Sequence, residues 1–197
     1  MKSVDSIRVT RSLFQEGNGG SIPTSTLQLQ LKQITNNRAL DCYEKWHYLG
    51  KTKFIATYNF GVFTDGDLWG CISFGSPNAK VLKGYYTPET QGGWYEIKRF
   101  ALSDTLPKNS ESRVISISIK LLRKITKVVG IITYADSGVG HSGIIYKASG
   151  FKYLGLTAPK TDFWSNGKVV QRGKVVGLKG EWKKRSQKHL FIKLFKN

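Results

Sequence analysis

VVGIITYADSGVGHSGIIYKASGFKYLG, residues 128–155, decides how this chain is read. Residues 128–134 form a continuous apolar run, the pattern of a strand buried on both faces. Asp136 follows directly, then Gly138, Gly140 and Gly143, then a short helix predicted over residues 141–149 and ended by Gly150. A buried strand that delivers a carboxylate, a flexible glycine loop and a helix start can bring backbone N–H groups close to a ligand, with Gly140 and His141 as the contact candidates. The plainer reading makes Asp136 a cap for the next helix. Asp136, Ser137 and His141 are also hydrolase residue types, but no nucleophile elbow frames the serine.

The flanking segments alternate between the two periodicities. Residues 7–14 read as a strand, followed by a Gly/Ser-rich loop that bounds an extension over residues 1–25. Residues 26–35 alternate with period two and read as a half-buried strand. Asn36 or Asn37 caps a helix running to Trp46. Residues 54–63 and 68–74 flank Thr64-Asp-Gly-Asp67, which predicts a hairpin. Residues 94–102 are the next strand, and a helix opens after Pro107 with Val114, Ile117, Leu121 and Ile125 at helical spacing. Strands over 151–156 and 163–170 precede a basic tail. This order implies an α/β (α+β) fold, a mixed central sheet with flanking helices, and it draws attention to the strand ends at Arg99 and Asp136. The domain reading is the extension, a core over residues 26–159, and a basic aromatic segment over residues 160–197 packing on the same domain.

Of 197 residues, 31 are Lys or Arg and 13 are Asp or Glu, a formal net charge of +18. Residues 160–197 hold 11 basic and 2 acidic groups, half of the excess. Phe163, Trp164, Trp182, Phe191 and Phe195 interleave there with Lys179, Lys183, Lys184, Arg185 and Lys188. Cations displace phosphate counterions and rings stack on bases, so this mixture suits nucleic acid. The blander alternative is a solubilising surface. Forty per cent hydrophobic residues exclude wholesale disorder, and no apolar run approaches a membrane span. The start MKSVDSIRVT lacks an apolar signal region, and Cys42 and Cys71, with no CxxC, indicate neither a disulfide framework nor a zinc cluster.

Three further patterns carry candidate chemistry. Trp46-His-Tyr-Leu-Gly50 sets an imidazole beside a phenol at a helix end; they are a dipole partner and a surface ring, or two ligands of a metal such as iron. In Trp94-Tyr-Glu-Ile-Lys-Arg-Phe-Ala-Leu102, Glu96 and Lys98 share one face and Ile97 and Arg99 the other. Arg99 therefore needs an anion, either substrate or an internal partner such as Glu111 or Asp136. The turn over residues 103–113 contains no glycine, and Lys108 and Arg113 supply charge where backbone cannot cradle phosphate.

Taken together, WHYLG, WYEIKRFAL, PKNSESRVISISIKLLRKI and ITYADSGVGHSGIIYKASGFKYLG resemble the Mom-type DNA modification proteins of bacteriophages, over residues 26–157. The resemblance implies an N-acetyltransferase-like fold and an enzyme that converts adenine in double-stranded DNA to its N6-carbamoylmethyl (acetamido) form, shielding phage DNA from host restriction. By position it implies functional roles for His47, Tyr48, Arg99, Ser112, Asp136 and Tyr146. It further implies iron near His47, Tyr48 and Asp136, an acyl or aminoacyl donor such as acetyl-CoA, and a place in the host cytoplasm. The target base must leave the duplex, with Trp46, Tyr48, Trp94, Tyr146 and Trp164 as stacking candidates. A homodimer stays open. The competing readings are an ordinary coenzyme-A-dependent acetyltransferase acting on a protein or small amine, and a basic nucleic-acid-binding protein without catalysis.

Overall fold

A computed structural model describes residues 22–50, 54–78, 82, 84, 85, 87, 90, 92–170 and 172–195. The strand expected over residues 7–14 and most of the extension lie outside the described residues. The strand expected over residues 26–35 is shorter than its alternation suggests. Residues Thr26–Gln28 make a 3-10 turn closed by a Ser25/Gln28 capping box, and β1 covers only Gln30–Gln33. Helix α1, Asn36–Trp46, is capped by Thr35, whose Oγ1 accepts the Arg38 N–H at 3.3 Å. It buries Ala39, Cys42 and Tyr43 against Cys71 and Ala101. Strands β2 (Tyr58–Thr64) and β3 (Asp67–Gly75) form the hairpin, joined by Asp65 at φ 52° and Gly66 at φ 91°. Two left-handed residues are what a two-residue turn needs to match strand twist.

Strand β4 occupies Trp94–Leu102, and Lys98 pairs with Glu96 at 2.9 Å along its half-buried face. Helix α2, Ser110–Ile125, buries Val114, Ile115, Ser118, Ile119 and Leu122, a three-and-four spacing that keeps one stripe on the sheet. Strand β5, Gly130–Asp136, is central, with Ile131, Ile132 and Thr133 fully buried. The run read over residues 128–134 is thus displaced by two residues. Helix α3 is only Ile144–Ala148, and β6 is Lys152–Leu156.

The main sheet has seven strands in the order β1-β2-β3-β4-β5-β10-β6. Every neighbouring pair in it is antiparallel except β4 and β5. Its β10, Lys188–Leu194, lies between β5 and β6 and buries Phe191 and Ile192. The charged segment therefore contributes a strand to the core, and aromatic and aliphatic side chains in Leu190-Phe-Ile192 account for it. A second sheet is built from β7 (Lys160–Ser165), β8 (Lys168–Val170) and β9 (Glu181–Arg185), in the order β8-β7-β9. Among the described residues no helix is long and apolar enough to cross a membrane.

Candidate active site

The site begins where a strand pair comes apart. Pairing between β4 and β5 runs from Trp94↔Gly130 to Glu96↔Ile132 and stops, although β4 continues to Leu102 and β5 to Asp136. The resulting wedge has Arg99 on one bank and Asp136 on the other.

Arg99 is 8% exposed. One guanidinium N–H donates to Gly50 O at 3.3 Å, and the group lies 4.9 Å from the Phe54 ring centroid. Among the described residues no carboxylate pairs with it, and the internal partners expected from sequence, Glu111 and Asp136, do not reach it. A buried cation without a counter-charge is a site for an anionic ligand or for negative charge that develops in a reaction. Its backbone is fixed by a network that sequence reading missed. The Tyr43 hydroxyl donates to Arg99 O at 3.0 Å and lies 2.7 Å from Ser73 Oγ. Ser73 in turn donates to Asn59 Oδ1, and Asn59 Nδ2 donates to Asn36 Oδ1, each at 2.6 Å. Only tertiary structure brings these four positions together.

His47 closes α1 and is 9% exposed. The Leu49 backbone N–H donates to its Nδ1 at 3.1 Å, so Nδ1 carries no proton and the neutral ring holds its hydrogen on Nε2. Burial, then the Arg99 and His141 charges, lower its pKa to about 4. Tyr48 stacks on it at 4.5 Å with 25° between planes and meets the His141 ring edge-on at 5.7 Å. Burial raises the Tyr48 phenol, Asp136 adds to this, and Arg99 opposes it. Tyr146 on α3 is 7% exposed, and its phenol is raised by burial, opposed by the Thr133 hydroxyl and raised further by Tyr48.

The glycine loop is more structural than its composition suggests. A Cβ on Gly143, at φ 75°, would lie 2.3 Å from Phe191, and one on Gly138 would lie 2.7 Å from Ser186 Cβ. Those two glycines make room for protein. Gly140, also at φ 75°, alone faces open space, beside the exposed His141. The helix expected from residue 141 starts at Ile144 instead. Asp136 does act as a cap: its Oδ1 accepts Gly138 N–H at 2.9 Å and Ser186 Oγ–H at 2.7 Å, while Lys188 Nζ lies 3.7 Å from Oδ2. Burial alone would raise this carboxyl, but Ser186, Gly138, Lys188 and Arg185 together hold it below the ordinary aspartate value.

These contacts test the iron set of His47, Tyr48 and Asp136. A metal at His47 Nε2 would require the ring proton on Nδ1, where Leu49 N–H already donates. The Tyr48 phenol is pushed toward its protonated form, and both Asp136 oxygens are engaged. The three side chains do not fit an iron centre in this arrangement. Among the described residues no group of three or more His, Cys, Asp or Glu is placed to hold a metal ion.

Ser112 stands apart from this cluster, in the first turn of α2, where its hydroxyl donates to Asn109 O at 3.1 Å. Asn109 opens that helix at φ 72° without a side-chain cap bond. Lys108 is exposed beside it, and Arg113 Nε is buried with no hydrogen-bond partner among the described residues.

The basic candidates divide. On the second sheet, Lys183 Nζ lies 5.4 Å from the Trp164 ring and 2.7 Å from Glu181 Oε1, and Arg185 lies 3.8 Å from Asp162. Lys179 and Lys184 are exposed. Trp182 is 54% exposed and meets Phe163 edge-on at 5.3 Å. Lys188 does not belong with them, because it turns toward Asp136. Trp94 is 5% exposed, its ring against Gly130, so it offers no free stacking face.

A parallel pair that splays within a mixed sheet is the N-acetyltransferase arrangement, and the chain has that fold. Solved structures agree. It is similar to Arabidopsis thaliana NAA60 in complex with a bisubstrate analogue, with a TM-score of 0.56 and 14% identity over 84% of this chain and 97% of that one. It is also similar to the spermidine/spermine N-acetyltransferase SpeG of Vibrio cholerae, solved with manganese ions, with a TM-score of 0.54 and 12% identity over 86% and 94% of the two chains. The Mom protein family matches residues 28–194, so the chain belongs to that family, β10 included. Its sequence is similar to the methylcarbamoylase mom of Escherichia phage Mu, 28% identical over 149 residues, which is 75% of this chain and 62% of that protein. The chain thus spans less than two thirds of that relative's length.

Proposed function

We propose that the protein is a phage DNA-modifying transferase that places a carbamoylmethyl group on N6 of adenine and so protects DNA from restriction. One observation carries the reading. In a Mom-family chain, Tyr48 stacks on His47 at 4.5 Å and meets His141 edge-on at 5.7 Å, beside the β4–β5 wedge that holds the buried Arg99.

The chemistry sets the demands. N6 is paired inside the duplex and its lone pair is delocalised, so the base is extruded before it reacts. Tyr48, 44% exposed and stacked on His47, offers it a face. The N6–CH2 bond forms as the bond from that carbon to its donor breaks. Arg99 and the His47 Nε2–H group stabilise the negative charge that develops on the departing group of the donor. Tyr146 Oη, kept protonated by burial, gives its proton to the departing group, and the proton that N6 loses returns to it through solvent.

A phosphate-bearing donor such as coenzyme A fits the turn before α2, where Lys108 and the unsatisfied Arg113 would hold its phosphates. Such a donor would carry the CH2–C(=O)NH2 group on its thiol sulfur, and the thiol would leave as the N6–CH2 bond forms. A plain acyl transfer yields an N–C(=O) bond rather than N–CH2, so the product identifies the donor class. The protein is co-expressed with a plasmid in the cytoplasm of a bacterial host, and the nucleosides are analysed by mass spectrometry. Carbamoylmethyl-deoxyadenosine supports the reading. N6-acetyl-deoxyadenosine replaces it with acetyl transfer to DNA, and unmodified adenine overturns it.

A further inference from the structure

Two connectors join the basic sheet to the main sheet beside the wedge. The chain leaves the main sheet through Thr157, ahead of β7, and returns through Ser186 and Gln187, ahead of β10. The returning passage is tied to the Asp136 loop, and the outgoing one is tied to the returning one. Ser186 Oγ donates to Asp136 Oδ1 at 2.7 Å, and Ser137 Oγ and N–H both donate to Gln187 O, at 2.6 and 3.3 Å. Gln187 Nε2 donates to Thr157 O at 2.7 Å, and Lys188 N–H donates to Thr157 Oγ1 at 3.0 Å. Lys188 stands opposite Asp136 in the β5–β10 register, with its Nζ 3.7 Å from Oδ2. Gly138 lacks a Cβ where one would press on Ser186 at 2.7 Å, so the loop and the connector are in van der Waals contact as well.

We propose that Asp136, Ser186 and Lys188 form a clasp that registers the basic three-stranded sheet against the loop bearing Gly140 and His141, and that Ser186 and Lys188 are therefore positioning residues. The functional half rests on the reading that duplex DNA is the substrate. Phosphates lying on β9 are then held at a set distance from the wedge, so an extruded base enters it without a further search. Asp136, whose Oδ1 accepts from Gly138 and Ser186 while Oδ2 faces Lys188, orients the loop.

The test compares full-length wild type, Ser186→Ala and Ser186→Thr, the last keeping the hydroxyl. Amide hydrogen exchange is read over residues 137–141, fluorescence anisotropy gives affinity for a labelled duplex, and modified deoxyadenosine gives turnover. A hydrogen bond to an ionised group is worth about a tenfold change in a local opening equilibrium. The alanine variant is expected to exchange about tenfold faster at Gly138 and to lose a similar factor in kcat, with duplex affinity within about twofold of wild type. Threonine restores both. Unchanged exchange in the alanine variant, a threonine variant as loose as alanine, or unchanged kcat despite a loosened loop overturns the clasp. A wild type that binds duplex but leaves adenine unmodified defeats the proposed reaction instead, and the exchange comparison still decides the clasp.

Discussion

His47 shows how much one backbone N–H decides. Leu49 N–H occupies Nδ1, so a long-range proton–nitrogen NMR spectrum should show a protonated Nε2 and a bare Nδ1 at neutral pH, and added ferrous ion should leave that pattern in place. The opposite tautomer, or an ion-induced change at Nε2, would restore the metal reading. The same residue sets a pH dependence. Its folded pKa, about 4, lies below the ordinary histidine value, so the unfolded chain binds more protons between the two. Stability is then unaffected above about pH 6.5 and falls as pH drops toward 4, by about 3 kcal/mol in all. Urea unfolding from pH 7 to 4 should show that slope in wild type and lose most of it in His47→Gln. The loop glycines separate by the same kind of local fact. Gly143→Ala meets both a left-handed backbone and the Phe191 ring, whereas Gly140→Ala meets only the backbone. We expect roughly 2–4 kcal/mol of destabilisation for the first and about 1 kcal/mol for the second, measured by denaturant unfolding. Sequence identified these residues as important; which ring nitrogen faces an amide, and which glycine faces a phenylalanine, are properties of packing.

Among the elements, those with strong periodicity or turn chemistry were legible. Strand β4 occupies the bounds its alternation predicts, α1 runs to Trp46 as expected, and Asp65-Gly66 makes the hairpin turn. Strand β10 was not, because lysines at 188 and 193 disguise the short Leu-Phe-Ile run that fills the gap between β5 and β6. The basic sheet carries its own prediction. Lys183 is neutralised locally by Glu181, whereas Lys179 and Lys184 have no ion-pair partner among the described residues. Lys184→Gln and Lys179→Gln should each weaken duplex binding and reduce the slope of log affinity against log salt by about 0.9, with a smaller effect for Lys183→Gln. Equal losses for all three would show that Glu181 does not neutralise Lys183, and no loss for any would show that DNA lies elsewhere. Anisotropy across a salt series distinguishes these outcomes.

At the scale of the whole molecule, charge and chemistry occupy different places on one scaffold. Half of the +18 excess falls within residues 160–197, yet that segment ends in a strand of the main sheet, beside the strand that bears Asp136. The charge asymmetry was plain in the sequence, as was the strand end at Asp136, whereas Arg99 lies inside β4, which runs on to Leu102. The wedge was not plain, since nothing in the residues states that β4 and β5 pair over three positions and then part. The central claim is that this wedge modifies adenine in DNA, and nucleoside mass spectrometry of plasmid DNA from cells making the protein tests it most directly. Carbamoylmethyl-deoxyadenosine is expected with the wild-type chain and its loss with Arg99→Gln, in protein that still folds and binds duplex. Unmodified deoxyadenosine from cells containing folded wild-type protein would contradict it.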